Sequence, residues 1–270
     1  MGRIADTFQR LRESNRTGII AYVTVGFPDV GSTLELAPAI IEGGADMVEL
    51  GVPFSDPLAD GATIQRASQV ALANGVTLGT CLDTCGALRR RFPLVPLILM
   101  GYYNPIFAYG LERYARDAQE AGADGVIVPD LPPEEAEALR RSCSARGQDV
   151  IFLLAPTSTD RRIQEVGRIA SGFIYCVSLT GVTGARRDLP AELPEFIARV
   201  RRLSKTPLAV GFGVSTGEHV REIGRLAEAV IVGSALTAEI ERAGPGTARE
   251  RARAFVARLR EGAMAAGRSG

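Results

Sequence analysis

Three carboxylates stand close together in the apolar stretch VELGVPFSDPLADG, which covers residues 48–61. Glu49, Asp56 and Asp60 share it with prolines and aliphatic side chains, and it contains no Lys, Arg or His. A carboxyl group among apolar side chains loses hydration, which raises its pKa toward the range useful for proton transfer. The stretch therefore predicts acid–base chemistry by carboxylates, unless basic side chains from elsewhere in the chain pair with them.

Few other residue types that usually carry chemistry are present. The chain has one histidine, His219, and one lysine, Lys205, which disfavours a Ser-His-Asp triad and a histidine-rich metal site. The four cysteines match neither a zinc pattern nor a disulfide framework, so we expect free thiols that are buried or half-buried. They are Cys81, Cys85, Cys143 and Cys176.

The overall charge and hydropathy exclude two classes of partner. The formal net charge of the 270 residues is zero, and no basic cluster is interleaved with aromatics, so we expect no nucleic-acid partner. The first residues lack the apolar core of a signal peptide, and no apolar run is long enough to span a membrane. The sequence thus predicts a soluble cytoplasmic protein.

Eight short runs rich in Val, Ile and Leu are typical of strands that are buried on both faces. These runs begin at Gly18, Asp46, Val95, Asp124, Asp149, Gly172, Thr206 and Glu228. Amphipathic segments of helical length lie between them, for example residues 32–44, 110–123 and 132–147, and the last of these is expected to begin its helix after Pro132 and Pro133. No linker marks a second domain.

Eight strand-helix units in about 250 residues is the size of a (β/α)8 TIM barrel. We therefore expect one TIM-barrel domain over residues 1–270, with an extra N-terminal helix at residues 4–11 covering the bottom of the barrel. Residues 249–266 are expected to form the closing helix. An open doubly wound α/β sheet is the alternative, but it predicts a Gly-rich phosphate turn after the first strand, where this chain has VGFPDVG.

In a barrel, the active site lies at the carboxyl ends of the strands. Strand alternation sends Val48 and Leu50 outward and Glu49 toward the barrel axis, where its pKa should rise. For Asp60, which precedes Gly61, two interpretations are open: a functional carboxylate, or a turn residue that caps the helix beginning near Ala62. The same turn interpretation applies to Asp56.

Small residues follow the last three strands. The segments GFGVS (residues 211–215) and VGSA (residues 232–235) let backbone N–H groups approach a phosphate, and SLTGVTGARRD, from Ser178, is long enough for a lid. Three such loops favour a phosphorylated substrate. Lys205 precedes the seventh strand and so lies on the amino-terminal face, away from the expected site, which disfavours a Schiff-base aldolase. A metal aldolase needs several histidine ligands, and His219 is the one histidine of the sequence.

Eight motifs in order resemble one family, the alpha subunit of tryptophan synthase, over nearly the whole chain. They are YVTVGFPD, ELGVPFSDPLADG, MGYYNP, VPDLPPEE, LLAPTSTDRRI, YCVSLTGVTGAR, GFGVS and VGSA. The resemblance implies a lyase of tryptophan biosynthesis that cleaves indole-3-glycerol phosphate to indole and glyceraldehyde 3-phosphate. It departs from the usual pattern at Ala62, where a proline is common, and at Leu179 in the lid.

The resemblance also implies roles for individual residues. Glu49 matches the acid-base carboxylate, and Asp60 matches the one that accepts the indole N–H. Asp56 and Asn104 match positions that contact a partner subunit. Positions for substrate binding are matched by Tyr22, Tyr102, Tyr175, Thr183, Gly184, Phe212, Gly213, Gly233 and Ser234. No cofactor and no metal is expected in this chain.

The implied partner is a beta subunit that carries pyridoxal phosphate, in an α2β2 tetramer through which indole passes internally. Two alternatives are open. One is a free-standing indole-3-glycerol-phosphate lyase, against which the docking positions Asp56 and Asn104 argue. The other is a catalytically idle, phosphate-binding regulatory barrel, which would have no use for two unpaired carboxylates.

Overall fold

The computed structural model describes residues 2–177, 189–211, 213–244 and 246–264. Eight parallel strands follow one another around a closed barrel, in which β8 pairs with β1. The strands are β1 Gly18–Thr24, β2 Met47–Gly51, β3 Leu97–Met100, β4 Gly125–Ile127, β5 Asp149–Leu154, β6 Ile174–Val177, β7 Leu208–Gly211 and β8 Ala229–Val232. The predicted TIM barrel is confirmed, and the open-sheet alternative is wrong because the sheet closes.

Helices surround the barrel and bury the outer faces of its strands. They are α1 Arg3–Glu13, α2 Thr33–Glu42, α3 Ala62–Ala73, α4 Leu78–Arg91, α5 Tyr103–Tyr109, α6 Leu111–Glu120, α7 Glu137–Ser144, α8 Asp160–Ile169, α9 Leu193–Leu203, α10 Gly217–Gly224, α11 Ser234–Glu241 and α12 Ala248–Met264. The predicted helices at residues 32–44 and 110–123 are confirmed as α2 and α6.

The segment after Pro132 does not begin its α-helix where we expected. A 3-10 turn occupies Pro133–Glu135, and α7 begins only at Glu137. The N–H groups of Glu135 and Ala136 donate to the carbonyls of Pro132 and Pro133, three residues back. Pro132 has extended backbone angles, so the chain enters through a tight turn before the α-helical bonds begin.

Helix α1 seals the amino-terminal end of the barrel, as predicted. Its buried side chains Ile4, Phe8 and Leu11 join the cluster that fills the lower lumen. The rings of Phe8 and Phe173 lie 5.9 Å apart at 57°, a tilted aromatic contact. At the other end of the chain, α12 packs against α2, α10 and α11 and completes the outer layer.

One bonding pattern recurs at the amino-terminal ends of the strands, four times around the barrel. A residue just before each even-numbered strand forms two hydrogen bonds with one residue at the start of the preceding strand. Its backbone N–H donates to the carbonyl of that partner, and its side chain accepts the backbone N–H of the same partner. We call each pair a strand clamp. The pairs are Asp46 with Ile19, Asp124 with Leu97, Ser171 with Val150 and Glu228 with Leu208, with side-chain bonds of 2.9, 2.8, 3.0 and 2.8 Å respectively.

Arginines neutralise the three carboxylate clamps. Asp124 accepts hydrogen bonds from Arg3 at 2.9 Å and from Arg89 at 2.5 Å. The Arg89 side chain also donates to the carbonyls of Phe92, Pro93, Val95 and Gly122, so this clamp ties α4 and the following loop to the barrel. Asp46 pairs with Arg16 and Arg260, and Glu228 pairs with Arg201. The amino-terminal face is therefore built for stability, away from the carboxyl ends where a site is expected.

The contribution of the ionic clamps to stability can be tested by comparing a charged clamp residue, Asp124, with the neutral one, Ser171. Asp124→Ala leaves the half-buried Arg89 without its carboxylate, so we expect the free energy of unfolding to fall by about 3–5 kcal/mol. Ser171→Ala removes only a neutral hydrogen bond, which contributes about 1 kcal/mol. Urea unfolding followed by circular dichroism measures both, and equal losses for the two variants would contradict the ionic account of the Asp124 clamp.

Candidate active site

Glu49 lies in the lumen of the barrel, two residues before the carboxyl end of β2. Its neighbours Val48 and Leu50 point outward into the layer between strands and helices, as strand alternation requires. The Glu49 side chain is fully buried, and neither carboxyl oxygen has a hydrogen-bond partner among the residues that the structure describes. Burial alone raises its pKa to about 8. The predicted inward, desolvated carboxyl is confirmed, and the ion-pair alternative finds no support among those residues.

Two tyrosines share the lumen with Glu49. Tyr22 is the register partner of Glu49 on β1, and its hydroxyl lies 3.3 Å from the Thr24 hydroxyl. Burial raises the pKa of the Tyr22 phenol, and the carboxylates of Asp60 and Glu49 raise it further. The pKa of the Tyr175 phenol on β6 is also raised, mainly by burial and further by the carboxylates of Glu49 and Asp60. Both phenols therefore stay protonated and present an O–H to the space around the carboxylates.

Asp60 is held by a long-range contact. The Tyr102 hydroxyl donates to the Asp60 carboxylate at 3.1 Å and accepts the N–H of Ala59 at 3.0 Å. Gln65 donates to the backbone carbonyl of Asp60 at 2.8 Å. Helix α3 begins at Ala62 after Gly61 without a side-chain cap, so the helix-capping interpretation of Asp60 is wrong.

The pKa of Asp60 is raised less by its environment than the pKa of Glu49 is. Burial raises the pKa of Asp60 to about 6, while the hydrogen bond from Tyr102 opposes the shift by stabilising the carboxylate. Near pH 7 one carboxyl is therefore mostly protonated and the other mostly ionised. Two carboxyls whose environments separate their pKa values can take different parts in one acid–base reaction.

Small residues follow β7 and β8 at the mouth of the barrel. Gly213 has a positive backbone angle, φ 66°, which glycine adopts readily. Gly233 directly precedes Ser234, the first residue of α11, and no side chain caps that helix, so its first N–H groups are available to an anionic group. The predicted residues Thr183, Gly184 and Phe212, and the loop that begins at Ser178, lie outside the described residues.

Asp56 and Asn104 are both exposed at the rim of the barrel mouth. Ser55 donates to the Asp56 carboxylate at 2.5 Å. Two large apolar side chains close by in sequence are also exposed, Leu58 at 93% and Phe107 at 62%. Tyr102 joins the two segments, because it precedes α5 and binds both Ala59 and Asp60. The rim therefore presents apolar and polar groups together on one connected surface.

Three further residues shape the site: Phe54 and Gly51, which were not predicted, and Gly211, which was predicted only as part of the phosphate segment at residues 211–215. The ring of Phe54 stacks on Tyr102 with centroids 5.2 Å apart. Gly51 and Gly211 end β2 and β7, and a Cβ atom on either would collide with a tyrosine, Tyr22 or Tyr175 respectively. Strand alternation offered a signal for Gly51, because it lies two residues after Glu49 and faces the same side.

All four cysteines are buried and unpaired, as predicted. In the part of the chain that the structure describes, no group of three or more His, Cys, Asp or Glu residues is arranged to hold a metal ion. Nor does any helix there combine the length and hydrophobicity needed to cross a membrane.

A family model and curated relatives of this chain all point to one family. The family model described as tryptophan synthase alpha chain matches residues 8–266. The chain is 58% identical over 260 residues to the tryptophan synthase alpha chain of Roseiflexus sp. (strain RS-1), covering 96% of this chain and 100% of the relative. It is 48% identical over 261 residues to that of Geobacter sulfurreducens, covering 97% of this chain and 98% of the relative.

Solved structures agree. A structure of Mycobacterium tuberculosis tryptophan synthase superimposes with a TM-score of 0.90 at 36% identity, covering 97% of this chain and 98% of the other. Tryptophan synthase subunit alpha from Legionella pneumophila also gives a TM-score of 0.90, at 37% identity and the same coverage. The chain therefore belongs to the tryptophan synthase alpha chain family.

Proposed function

We propose that Glu49 and Asp60 carry out the reaction of this family in this chain, the retro-aldol cleavage of indole-3-glycerol phosphate to indole and glyceraldehyde 3-phosphate. The family assigns the chain to the carbon-carbon lyases. The observation that carries the residue assignment is the fully buried Glu49 carboxyl, which has no partner among the described residues and a pKa of about 8.

Glu49 acts first as an acid and then as a base. Its protonated carboxyl gives a proton to the indole carbon that bears the glycerol chain, which makes that carbon tetrahedral and places positive charge on the ring. The resulting carboxylate takes the proton from the neighbouring glycerol hydroxyl. The carbon-carbon bond then breaks, its electron pair returns to the ring, and the aldehyde leaves. Glu49 ends the cycle protonated, so one group near neutral pKa serves both steps.

Asp60 acts as an anion. With a pKa of about 6 it is mostly ionised at neutral pH, and it accepts the indole N–H. Its negative charge stabilises the positive charge that the first proton transfer creates in the ring. Tyr102 supports this role, because its hydroxyl donates to the Asp60 carboxylate at 3.1 Å and so favours the ionised form.

The remaining predicted residues bind the substrate. Tyr22, Tyr102 and Tyr175 supply aromatic surface near the carboxylates for the indole ring and glycerol chain. Gly213, Gly233 and Ser234 receive the phosphate, supported by the uncapped start of α11. We assign Gly184 and Phe212 to the same pocket and Thr183 to orienting Glu49; these three assignments rest on the resemblance.

The partner is a beta subunit that holds pyridoxal phosphate, in an α2β2 assembly located in the cytoplasm. The alpha chain itself uses no cofactor. Asp56 and Asn104 lie in its docking surface, together with the exposed side chains of Leu58 and Phe107. The mixed apolar and polar character of this rim is typical of a protein interface. Its link through Tyr102 to Asp60 gives docking a direct route to the site.

A kinetic assay separates this function from its alternatives. Purified chain is incubated with indole-3-glycerol phosphate, with and without a cognate beta subunit, and indole is quantified. We expect slow release that rises strongly with the partner, because docking on the rim acts on Asp60 through Tyr102. Fast release without the partner would favour a free-standing lyase, and no release in either case would favour an idle regulatory barrel.

Substitution of Glu49 tests the acid–base role. Glu49→Gln keeps the size of the side chain and removes its proton, so cleavage should fall by about 10²–10⁴-fold while substrate affinity changes little. Glu112→Gln makes the same change at an exposed position of α6 and should leave the rate as it is. Single-turnover assays and equilibrium binding give the two quantities. A loss of affinity as large as the loss of rate would refute the role of Glu49.

A further inference from the structure

Gly51 ends β2 at the mouth of the barrel, two residues after Glu49. It is buried, and its backbone is not among the positive-φ conformations that favour glycine. An alanine is therefore compatible with the backbone at this position. The reason for a glycine here has to be the space that its missing side chain leaves.

That space is occupied by Tyr22. A Cβ atom on Gly51 would lie 2.2 Å from the Tyr22 hydroxyl oxygen, 2.5 Å from Cζ and 2.7 Å from Cε2. These distances are far inside van der Waals contact, so the end of the phenol rests directly against the Gly51 backbone. The same arrangement recurs across the barrel, where a Cβ on Gly211 would lie 2.7 Å from the Tyr175 hydroxyl oxygen.

The flank of Tyr22 that faces Gly233 is less tightly packed. A Cβ atom built on Gly233 would lie 3.5 Å from the Tyr22 Cβ and 3.6 Å from its Cδ1, which is ordinary contact. A space the size of a methyl group therefore separates the Tyr22 ring from Gly233. If the ring were pushed off β2, it would move into this space, beside the start of α11.

We propose that Gly51 is a positioning residue for the cleavage reaction. By lacking a side chain it holds the Tyr22 ring against β2 and keeps open the volume between Glu49 and Gly233. This inference rests on the proposed function, which places the reacting carbon at Glu49 and the phosphate at Gly233, at the two ends of that volume. Gly51 itself touches Tyr22 and acts through it.

A double-mutant cycle tests the proposal with Gly51→Ala, Tyr22→Leu and the two together. Leucine is chosen because phenylalanine would keep the Cζ and Cε2 atoms that collide. In the wild-type background, Gly51→Ala should raise KM for indole-3-glycerol phosphate by about tenfold or more with a smaller effect on kcat. In the Tyr22→Leu background the same change should cost less than about twofold, because the colliding ring is gone.

Binding of sn-glycerol 3-phosphate gives a second readout, since this probe carries the arm without the indole ring. Its Kd should rise in Gly51→Ala and recover in the double variant. An unchanged KM and Kd in Gly51→Ala, or an equal cost in both backgrounds, would overturn the proposal. If wild-type chain releases no indole, the proposed function fails, and the binding cycle still decides whether Gly51 and Tyr22 are coupled.

Thermal unfolding of each variant checks that the fold is kept. If Gly51→Ala does not fold, Gly233→Ala probes the same volume from its other side, because its Cβ meets Tyr22 only at contact distance. That variant should weaken binding of sn-glycerol 3-phosphate by filling the space. Unchanged binding would show that the arm does not use this volume and would overturn the proposal.

Discussion

Glu49 buries a carboxyl group inside the barrel without a hydrogen-bond partner among the residues that the structure describes. The rise of its pKa from 4.5 to about 8 means that burial shifts the balance toward the protonated form by roughly 5 kcal/mol relative to water. That preference depends on keeping water and basic side chains away from the lumen. Helix α1 closes the lower end with Ile4 and Phe8, and the apolar inner faces of the strands exclude polar groups below the carboxyl.

A barrel that holds an unpaired carboxyl must draw its stability from elsewhere, and the strand clamps provide it. Asp46, Asp124 and Glu228 are carboxylates too, but each lies at the amino-terminal face and has arginine partners and a backbone N–H. The same residue types thus stabilise one end of the barrel and supply reactivity at the other. The difference lies in their surroundings, because arginines pair with the carboxylates at the amino-terminal face, while burial raises the pKa of the unpaired Glu49 carboxyl.

Local sequence patterns predicted what depends on local geometry. The eight apolar runs located the strands, and alternation oriented Glu49, because both follow from the two-residue period of a strand. Asp60 shows the limit: Asp-Gly signals a turn, whereas its hydroxyl partner Tyr102 lies 42 residues away. The functional interpretation of Asp60, as the carboxylate that accepts the indole N–H, came only from the resemblance of its motif to the family. Gly51 was missed because alternation shows only which side it faces, and the reason for a glycine there, the Tyr22 ring, appears only when β1 and β2 are paired.

The central claim is that Glu49 is protonated at neutral pH, and carbon-13 NMR of glutamate carboxyl groups measures this directly. Wild-type and Glu49→Gln proteins are titrated from acid to alkaline pH, and the resonance present only in the wild type is followed. We expect it to keep its proton through neutral pH and to lose it as the pH rises through about 8. A Glu49 resonance that titrates near the ordinary glutamate value, about 4.3, would contradict the account.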